Sequence, residues 1–261
     1  MHPAVPGRRR VVLLPGAGCD AGQWAAVAAA LAGDHDVEAR DLPGHHGAPP
    51  LPGAVSLEAV AAHLADSLAD GLAGGPADGP AGPAVLVGHS TGGVVALVVA
   101  ARRPELVAGL VLVDSNVPVT ADALAAKRAR AGRVRSGPWP DVLVTSMRTA
   151  WGEREPQLRE EVVAGIAATP EEVLRPLWTD VLKLDPRPLL AVVRAPLLHL
   201  RTTRDVDAAA LAALNPRARS VDLRHLGAGH WPHLLEPDAV TARLRDFLRG
   251  AVGRPSAGAL R

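Results

Sequence analysis

The stretch Ala84-Val85-Leu86-Val87-Gly88-His89-Ser90-Thr91-Gly92 decides the fold of this chain. Its four leading apolar residues predict a buried strand, and the small apolar residues from 93 to 101 predict a helix. The G-x-S-x-G sequence between them is typical of a sharp turn that lifts a serine hydroxyl above the end of a sheet. Glycines flank the serine because a Cβ would clash in so tight a turn. The pattern therefore predicts a nucleophilic Ser90 beside a helix N-terminus.

Strand-like and helix-like segments alternate on both sides of this turn. Apolar or alternating runs predict five further strands, at 11–14, 35–40, 110–113, 197–201 and 220–226. Periodicity and small apolar residues predict helices at 23–31, 56–72, 92–102 and 237–249. Because strands that alternate with helices form a mostly parallel sheet covered on both faces, we predict an α/β fold. Its active site lies beyond the C-terminal ends of the strands, where Gly16, Asp41, Ser90 and Asp114 fall.

The alternation stops between residues 117 and 187. Helices are predicted there at 121–134, 140–149, 156–168 and 170–182. We interpret this segment as a helical cap, 117–187, inserted into a core made of 1–116 and 188–250, with a flexible tail at 251–261. Tryptophans of the cap and of the last loop are candidates to line a substrate pocket, with packing inside the cap as the alternative: Trp139, Trp151, Trp178 and Trp231.

Composition narrows the class of protein. The 261 residues are 48% hydrophobic and 21% charged, as expected for a soluble globular protein of one large or two small domains. A net charge of +1 gives no reason to expect binding to nucleic acid or membranes. Cys19 is the single cysteine, so no internal disulfide forms. The apolar run at 11–14 is too short for a signal or membrane segment, and a cytoplasmic location is expected.

A serine hydroxyl needs a base within hydrogen-bonding reach and an acid that orients that base. His230 lies in a glycine-rich loop after the last predicted strand and is the preferred base, with His233 as the alternative. Asp205 follows the fifth predicted strand and is the preferred acid. Asp114, at the end of another strand, and Asp207 remain alternatives. The order Ser, Asp, His is the one that accompanies a G-x-S-x-G turn on an α/β sheet.

The oxyanion of a tetrahedral intermediate needs two N–H donors. The backbone N–H of Thr91, directly after the nucleophile, is the first candidate. The turn Pro15-Gly16-Ala17-Gly18 follows the first strand and offers the second, for which Ala17 is preferred. The chain therefore contains candidates for every group that serine-based acyl transfer requires.

Taken together, these motifs resemble those of the α/β-hydrolase superfamily over residues 11 to 249. The matching segments are the oxyanion turn at 15–18 with Trp24, the D-x-P-G-H loop at 41–45, the nucleophile elbow at 88–92, the strand and acid loop at 196–205, and the G-H turn at 229–230. The chain departs from the family pattern at three positions: Pro15 replaces a histidine, Thr202 replaces a glycine, and His46 is inserted. The resemblance implies an eight-stranded sheet with a helical cap after strand six.

The expected activity is hydrolysis, without cofactor or metal, of an ester, thioester or lactone of a small, largely apolar acid. The same triad on this fold also serves C–C bond hydrolysis, hydroxynitrile cleavage and perhydrolysis, which are alternatives. A non-catalytic binding module is a second alternative. A small-molecule substrate is the expected partner, and the choice between monomer and homodimer stays open.

Three other interpretations of the polar residues are weaker. The G-x-G-x-x-A sequence at 16–21, with Glu38 and Asp41 beyond it, imitates a dinucleotide-binding turn but gives the triad candidates no role. Two histidine groups have no compact metal-ligand spacing, His45 and His46 with Asp41, and His225 with His230 and His233. A basic cluster of Arg128, Arg130, Arg133 and Arg135 favours a solvated helix face, with capture of an acidic substrate as the alternative.

Overall fold

A computed structural model describes residues 8–74 and 82–250 of the chain. Its strands are β1 (Arg10–Leu14), β2 (Asp36–Ala39), β3 (Ala84–His89), β4 (Val107–Val113), β5 (Leu197–Arg201) and β6 (Ala218–Asp222). They form one sheet in the order β2-β1-β3-β4-β5-β6, in which every neighbouring pair is parallel. The predicted α/β fold is confirmed. The described residues form a six-stranded sheet instead of the eight strands implied by resemblance, because the chain supplies six strand-forming runs.

Helices connect these strands. They are α1 (Ala25–Leu31), α2 (Leu57–Gly74), α3 (Ser90–Arg102), α4 (Ala121–Ser136), α5 (Asp141–Trp151), α6 (Pro156–Ala167), α7 (Glu171–Lys183), α8 (Arg187–Val192), α9 (Ala208–Leu214), α10 (Pro232–Leu235) and α11 (Pro237–Gly250). Within the two described ranges, none of the helices is both long and apolar enough to cross a membrane. The predicted tail at 251–261 lies outside the described residues.

Two hydrophobic layers cover the sheet because successive side chains of a strand point to opposite faces. In β1, Val12 and Leu14 pack into the layer that contains α2 and α3. Val11 and Leu13 pack into the opposite layer, which contains α1 and α11. The continuous apolar run of β1 is therefore buried on both sides, as expected for a central parallel strand.

The segment between β4 and β5 forms helices α4 to α8, and the sequence predicts helices and no strand where α4 to α7 lie. A third hydrophobic cluster joins these helices to the loops beyond the strand ends. It brings Trp151, Ile166 and Trp178 of the segment together with Ala17 and Trp231. The helical segment thus lies against the edge of the sheet where the strands end, and it follows the fourth strand of the described sheet.

Candidate active site

Ser90 occupies a strained turn between β3 and α3. Its φ angle is +50°, a left-handed conformation that serine adopts rarely. A Cβ at Gly88 would lie 2.3 Å from the backbone nitrogen of Gly93, and a Cβ at Gly92 would lie 2.3 Å from the carbonyl oxygen of Pro15. Both glycines are therefore required by close backbone contacts, and the turn presents Ser90 at the C-terminal edge of the sheet.

His230 lies within hydrogen-bonding distance of Ser90. Its Nε2 atom is 3.0 Å from the Oγ atom of Ser90. Two contacts hold the backbone of its loop: the His230 N–H donates to the Ala150 carbonyl of α5 (2.9 Å), and His89 Nε2 donates to the His230 carbonyl (2.7 Å). At Gly229, a Cβ would lie 2.0 Å from the carbonyl oxygen of Trp151. The glycine thus lets the loop approach α5 closely enough to place His230.

His233, the alternative base, lies one turn away and is fully buried. Its ring stacks on Trp24 with 4.2 Å between centroids and lies 4.4 Å from the His89 ring. Burial lowers its pKa to about 3, and the nearby His230 acts in the same direction. His233 therefore supports the histidine loop as a neutral packing residue, and the structure places His230 alone at Ser90.

Asp114, and not Asp205, contacts His230. The Nδ1 atom of His230 is 2.7 Å from Oδ2 of Asp114. The prediction of Asp205 as the acid is wrong, because its side chain is 86% exposed and forms an ion pair with Arg201. Asp207 lies directly before α9, and its side chain accepts a hydrogen bond from the Ala210 N–H. The weaker alternative in the sequence, Asp114, thus occupies the position of the acid.

The path of the loop after β5 explains this difference. The backbone N–H groups of Thr202, Thr203 and Arg204 turn toward Asp114 and donate to its Oδ1 at 2.6, 2.8 and 2.9 Å. The Thr203 hydroxyl donates to Oδ2 at 2.6 Å. The loop therefore binds a carboxylate from the neighbouring strand and leaves Asp205 in solvent. The sequence differs from the family pattern at one position of this loop, where Thr202 replaces the glycine before the expected acid.

These contacts determine the protonation states of Asp114 and His230. Burial raises the pKa of Asp114, but the hydrogen bond and charge of His230 and the donors from Arg204 and Thr203 outweigh it and hold that pKa well below its usual range. Burial lowers the pKa of His230 below 6.5, the positive charge of Arg204 lowers it further, and Asp114 acts in the opposite direction. At neutral pH an ionised Asp114 accepts the Nδ1 proton, which leaves the Nε2 lone pair facing the Ser90 hydroxyl.

The two predicted oxyanion donors belong to segments that meet at Ser90. Thr91 is buried at the second position of α3. Ala17 belongs to the turn after β1, and a Cβ at Gly16 in that turn would lie 3.4 Å from the Cβ of Ser90. His46, the inserted residue, bonds through Nε2 to the Gly18 carbonyl at 2.7 Å and so supports the same turn.

Residues that suggested a dinucleotide-binding turn or a metal site have structural roles. Asp41 accepts a hydrogen bond from the Ala21 N–H at 2.6 Å, and Glu38 pairs with Arg40. Burial raises the pKa of the Cys19 thiol to about 12, so this thiol stays protonated. In the described ranges, no group of three or more histidine, cysteine or acidic side chains is arranged to hold a metal ion.

A cavity of about 400 Å³ opens at Ser90 between the sheet edge and the helical segment. Of the four candidate tryptophans, Trp178 lines this cavity. Trp151 and Trp231 are buried against each other with 4.9 Å between ring centroids, and Trp139 packs edge-on against Trp178 at 6.4 Å. These three tryptophans lie outside the cavity lining, because they pack within the helical segment and against the histidine loop.

A parallel sheet whose C-terminal edge carries a serine on a glycine turn, a histidine and a buried aspartate defines the class of α/β-fold hydrolases. The chain belongs to the alpha/beta hydrolase family, whose sequence model matches residues 11–243.

Individual relatives agree with this assignment. The chain is 27% identical over 269 aligned residues to the biotin biosynthesis bifunctional protein BioHC of Cellvibrio japonicus, covering 91% of this chain and 47% of that protein. It is 43% identical over 106 residues to a pimeloyl-[acyl-carrier protein] methyl ester esterase of Chromobacterium violaceum, covering 41% of this chain and 37% of that protein. It thus spans less than half the length of either relative. The malate-bound structure of a thermophilic esterase from Thermogutta terrifontis superposes with a TM-score of 0.71 at 26% identity, covering 93% of this chain and 90% of that one.

Proposed function

We propose that this protein is a serine hydrolase that cleaves carboxylic esters through an acyl-enzyme, with Ser90, His230 and Asp114 as its triad. One observation carries the proposal. A continuous row of hydrogen bonds runs from Ser90 Oγ to His230 Nε2 (3.0 Å) and from His230 Nδ1 to Asp114 Oδ2 (2.7 Å) at a strained turn. This row supplies a nucleophile, a base and a group that orients the base.

The reaction follows from these contacts. His230 Nε2 accepts the hydroxyl proton as Ser90 Oγ attacks the ester carbonyl carbon, and Asp114 stabilises the resulting imidazolium. The backbone N–H groups of Thr91 and Ala17 are the proposed donors to the tetrahedral oxygen. His230 then gives its proton to the leaving alkoxide. Water, deprotonated by the same imidazole, then attacks the acyl carbon. The bond to Ser90 Oγ breaks, His230 returns the proton to Ser90, and the acid leaves.

The substrate class is supported by the cavity and by the relatives. A volume of about 400 Å³ suits a small molecule. Two of the similar proteins are named esterases, and one of them acts on a methyl ester according to its name. We propose that residues 117–187 act as a cap, because Arg130 and Trp178 from this segment line the cavity above Ser90. Thioesters and lactones present the same carbonyl chemistry to Ser90.

Reaction with a fluorophosphonate tests the nucleophile directly. This reagent mimics the tetrahedral intermediate and phosphonylates an activated serine. We expect one phosphonyl adduct, located at Ser90 by mass spectrometry of peptides. Ser136→Ala, which removes an exposed hydroxyl from α4, serves as the matched control and keeps the adduct. A folded protein that shows no phosphonylation at Ser90 would contradict the proposal.

The pH profile tests the role of His230. Burial and the charge of Arg204 lower the pKa of His230 below 6.5. We expect kcat/KM for a neutral ester to decline on the acid side with a midpoint below pH 6.5. Arg204→Gln should move this decline to higher pH, whereas His63→Gln, an exposed histidine on α2, should leave it in place. A decline centred above 6.5 in the unmodified protein would exclude His230 with a lowered pKa as the base.

A further inference from the structure

Three arginine side chains line the cavity beside Ser90: Arg130 and Arg133 from α4, and Arg204 from the loop after β5. Across the described ranges none of these guanidinium groups has a hydrogen-bond or ion-pair partner. Elsewhere in the same helical segment, Arg148 pairs with Glu160 and Arg175 pairs with Glu171, whereas Arg128 and Arg135 are exposed to solvent on α4. The positive charge inside the cavity is therefore left without a protein counterion.

Arg204 is the clearest case of a cavity arginine whose side chain has no protein partner. Its Nε atom is buried and has no hydrogen-bond partner. Burial lowers the pKa of its guanidinium, and the charge of Arg130 acts in the same direction while Asp114 opposes both. The charge of Arg130 thus acts on the same site as that of Arg204. A partly buried charge with a buried, unpartnered N–H is costly unless an opposite charge compensates it.

Asp114 is the carboxylate whose charge acts on Arg204, but it does not bind the Arg204 side chain. Its Oδ1 already accepts three backbone N–H groups, and its Oδ2 accepts from Thr203 and His230. Within the described part of the chain, the lining of the cavity contains no aspartate or glutamate. The remaining side chains of the wall are the Asn116 amide, several hydroxyls, and apolar groups such as Met147 and Trp178. An anionic group on the molecule that fills the cavity would therefore find guanidinium donors without a protein partner.

We propose that the cavity selects esters that carry a free carboxylate, which Arg130 and Arg204 bind while Ser90 attacks the ester carbonyl. This inference rests on the function proposed above and specifies its substrate class. Guanidinium groups suit a carboxylate because their N–H donors match its two oxygens. The apolar wall around Trp178 accommodates the carbon chain between the carboxylate and the ester. Arg133, which is more exposed than Arg130, lies at the rim and adds to the attraction.

The test compares esters that differ only in charge. One set pairs monomethyl esters of straight-chain dicarboxylic acids with methyl esters of monocarboxylic acids of the same length. A second set places the carboxylate on the alcohol side, pairing acetyl esters of hydroxy acids with acetyl esters of the matching alcohols. We expect kcat/KM to favour the charged member by about 10-fold or more in at least one set. Equal values within every pair would overturn the inference.

Variants identify the groups responsible. Arg130→Gln and Arg204→Gln should each lower the charged-to-neutral ratio of kcat/KM by up to about 10-fold, mainly through KM. Arg128→Gln is the matched control, because Arg128 lies on the same helix but is exposed and lies outside the cavity lining. A ratio that changes equally in all three variants would overturn the assignment of Arg130 and Arg204.

A pH profile and a binding measurement separate anion binding from a merely structural role. A bound carboxylate offsets the charges of Arg204 and Arg130, so the acid decline of kcat should lie at higher pH for the charged ester than for the neutral one. Calorimetry with glutarate and Ser90→Ala protein measures the anion site without turnover, and Arg130→Gln should weaken that binding. Absent glutarate binding would overturn the inference, whereas absent phosphonylation of Ser90 would instead overturn the proposed function.

Discussion

Replacing Ser90 by alanine is expected to lower kcat for ester hydrolysis by about a million-fold. The alanine side chain has no oxygen to attack the carbonyl carbon, and without a nucleophile His230 has no proton to accept. The remaining rate would come from the oxyanion donors and from substrate binding alone. Release of p-nitrophenol from p-nitrophenyl acetate measures the loss.

The structure supplies controls for this variant. The described contact of the Ser90 side chain is the one to His230, so alanine removes a single hydrogen bond and leaves the turn in place. Circular dichroism and the melting temperature should therefore change little. His230→Ala should cause a similar loss, and the double variant should be no worse than either, because the two residues act as one unit. A Ser90→Ala protein within about 10-fold of the unmodified rate would rule out Ser90 as the nucleophile.

Asp114→Asn is expected to lower kcat by about 10,000-fold with little change in the backbone. Three backbone N–H groups point at the Oδ1 position, so the amide oxygen of asparagine takes that place. Its NH₂ group then faces Nδ1 of His230 and donates to it. This contact forces the imidazole into the tautomer that carries its proton on Nε2, where it can no longer accept the proton of Ser90.

Asp205→Asn is the matched comparison, because the sequence favours Asp205 and the structure places its side chain in solvent at 86% exposure. We expect kcat for this variant to stay within about twofold of the unmodified enzyme. The pair of variants decides between the two carboxylates in one assay. A large loss in Asp205→Asn together with a small one in Asp114→Asn would mean that the loop after β5 rearranges to bring Asp205 to His230.

Most of the fold could be predicted from the sequence because its signals are local. A buried parallel strand is a continuous apolar run, and the runs at 84–87 and 110–113 both lie within strands of the structure. The helices between β4 and β5 could be predicted for the same reason. The resemblance overestimates the number of strands in the described sheet, because it reflects the family and not the runs that this chain contains.

The candidate site could be predicted in part. Ser90 and His230 are marked by glycines that a tight turn or a close backbone approach requires, which is information that a short segment carries. The choice among Asp114, Asp205 and Asp207 depends on where the N–H groups of another loop point, and this is set by tertiary structure. The basic cluster that contains Arg130 offers capture of an acidic substrate as an alternative, but the lack of partners for Arg130 and Arg204 could not be predicted. Whether a charge is paired depends on all the side chains packed around it.

The hydrogen bond from the His230 N–H to the Ala150 carbonyl joins the histidine loop to the last turn of α5. A helical segment that holds the base in this way cannot be grafted or swapped as an independent module. A transplanted segment from another hydrolase would need a carbonyl at the same point, and one without it would leave the imidazole misplaced even if the new pocket fitted its substrate. New specificity can therefore arise in α5 through side chains such as Met147, which line the cavity, while the backbone at Ala150 stays fixed by its contact with His230.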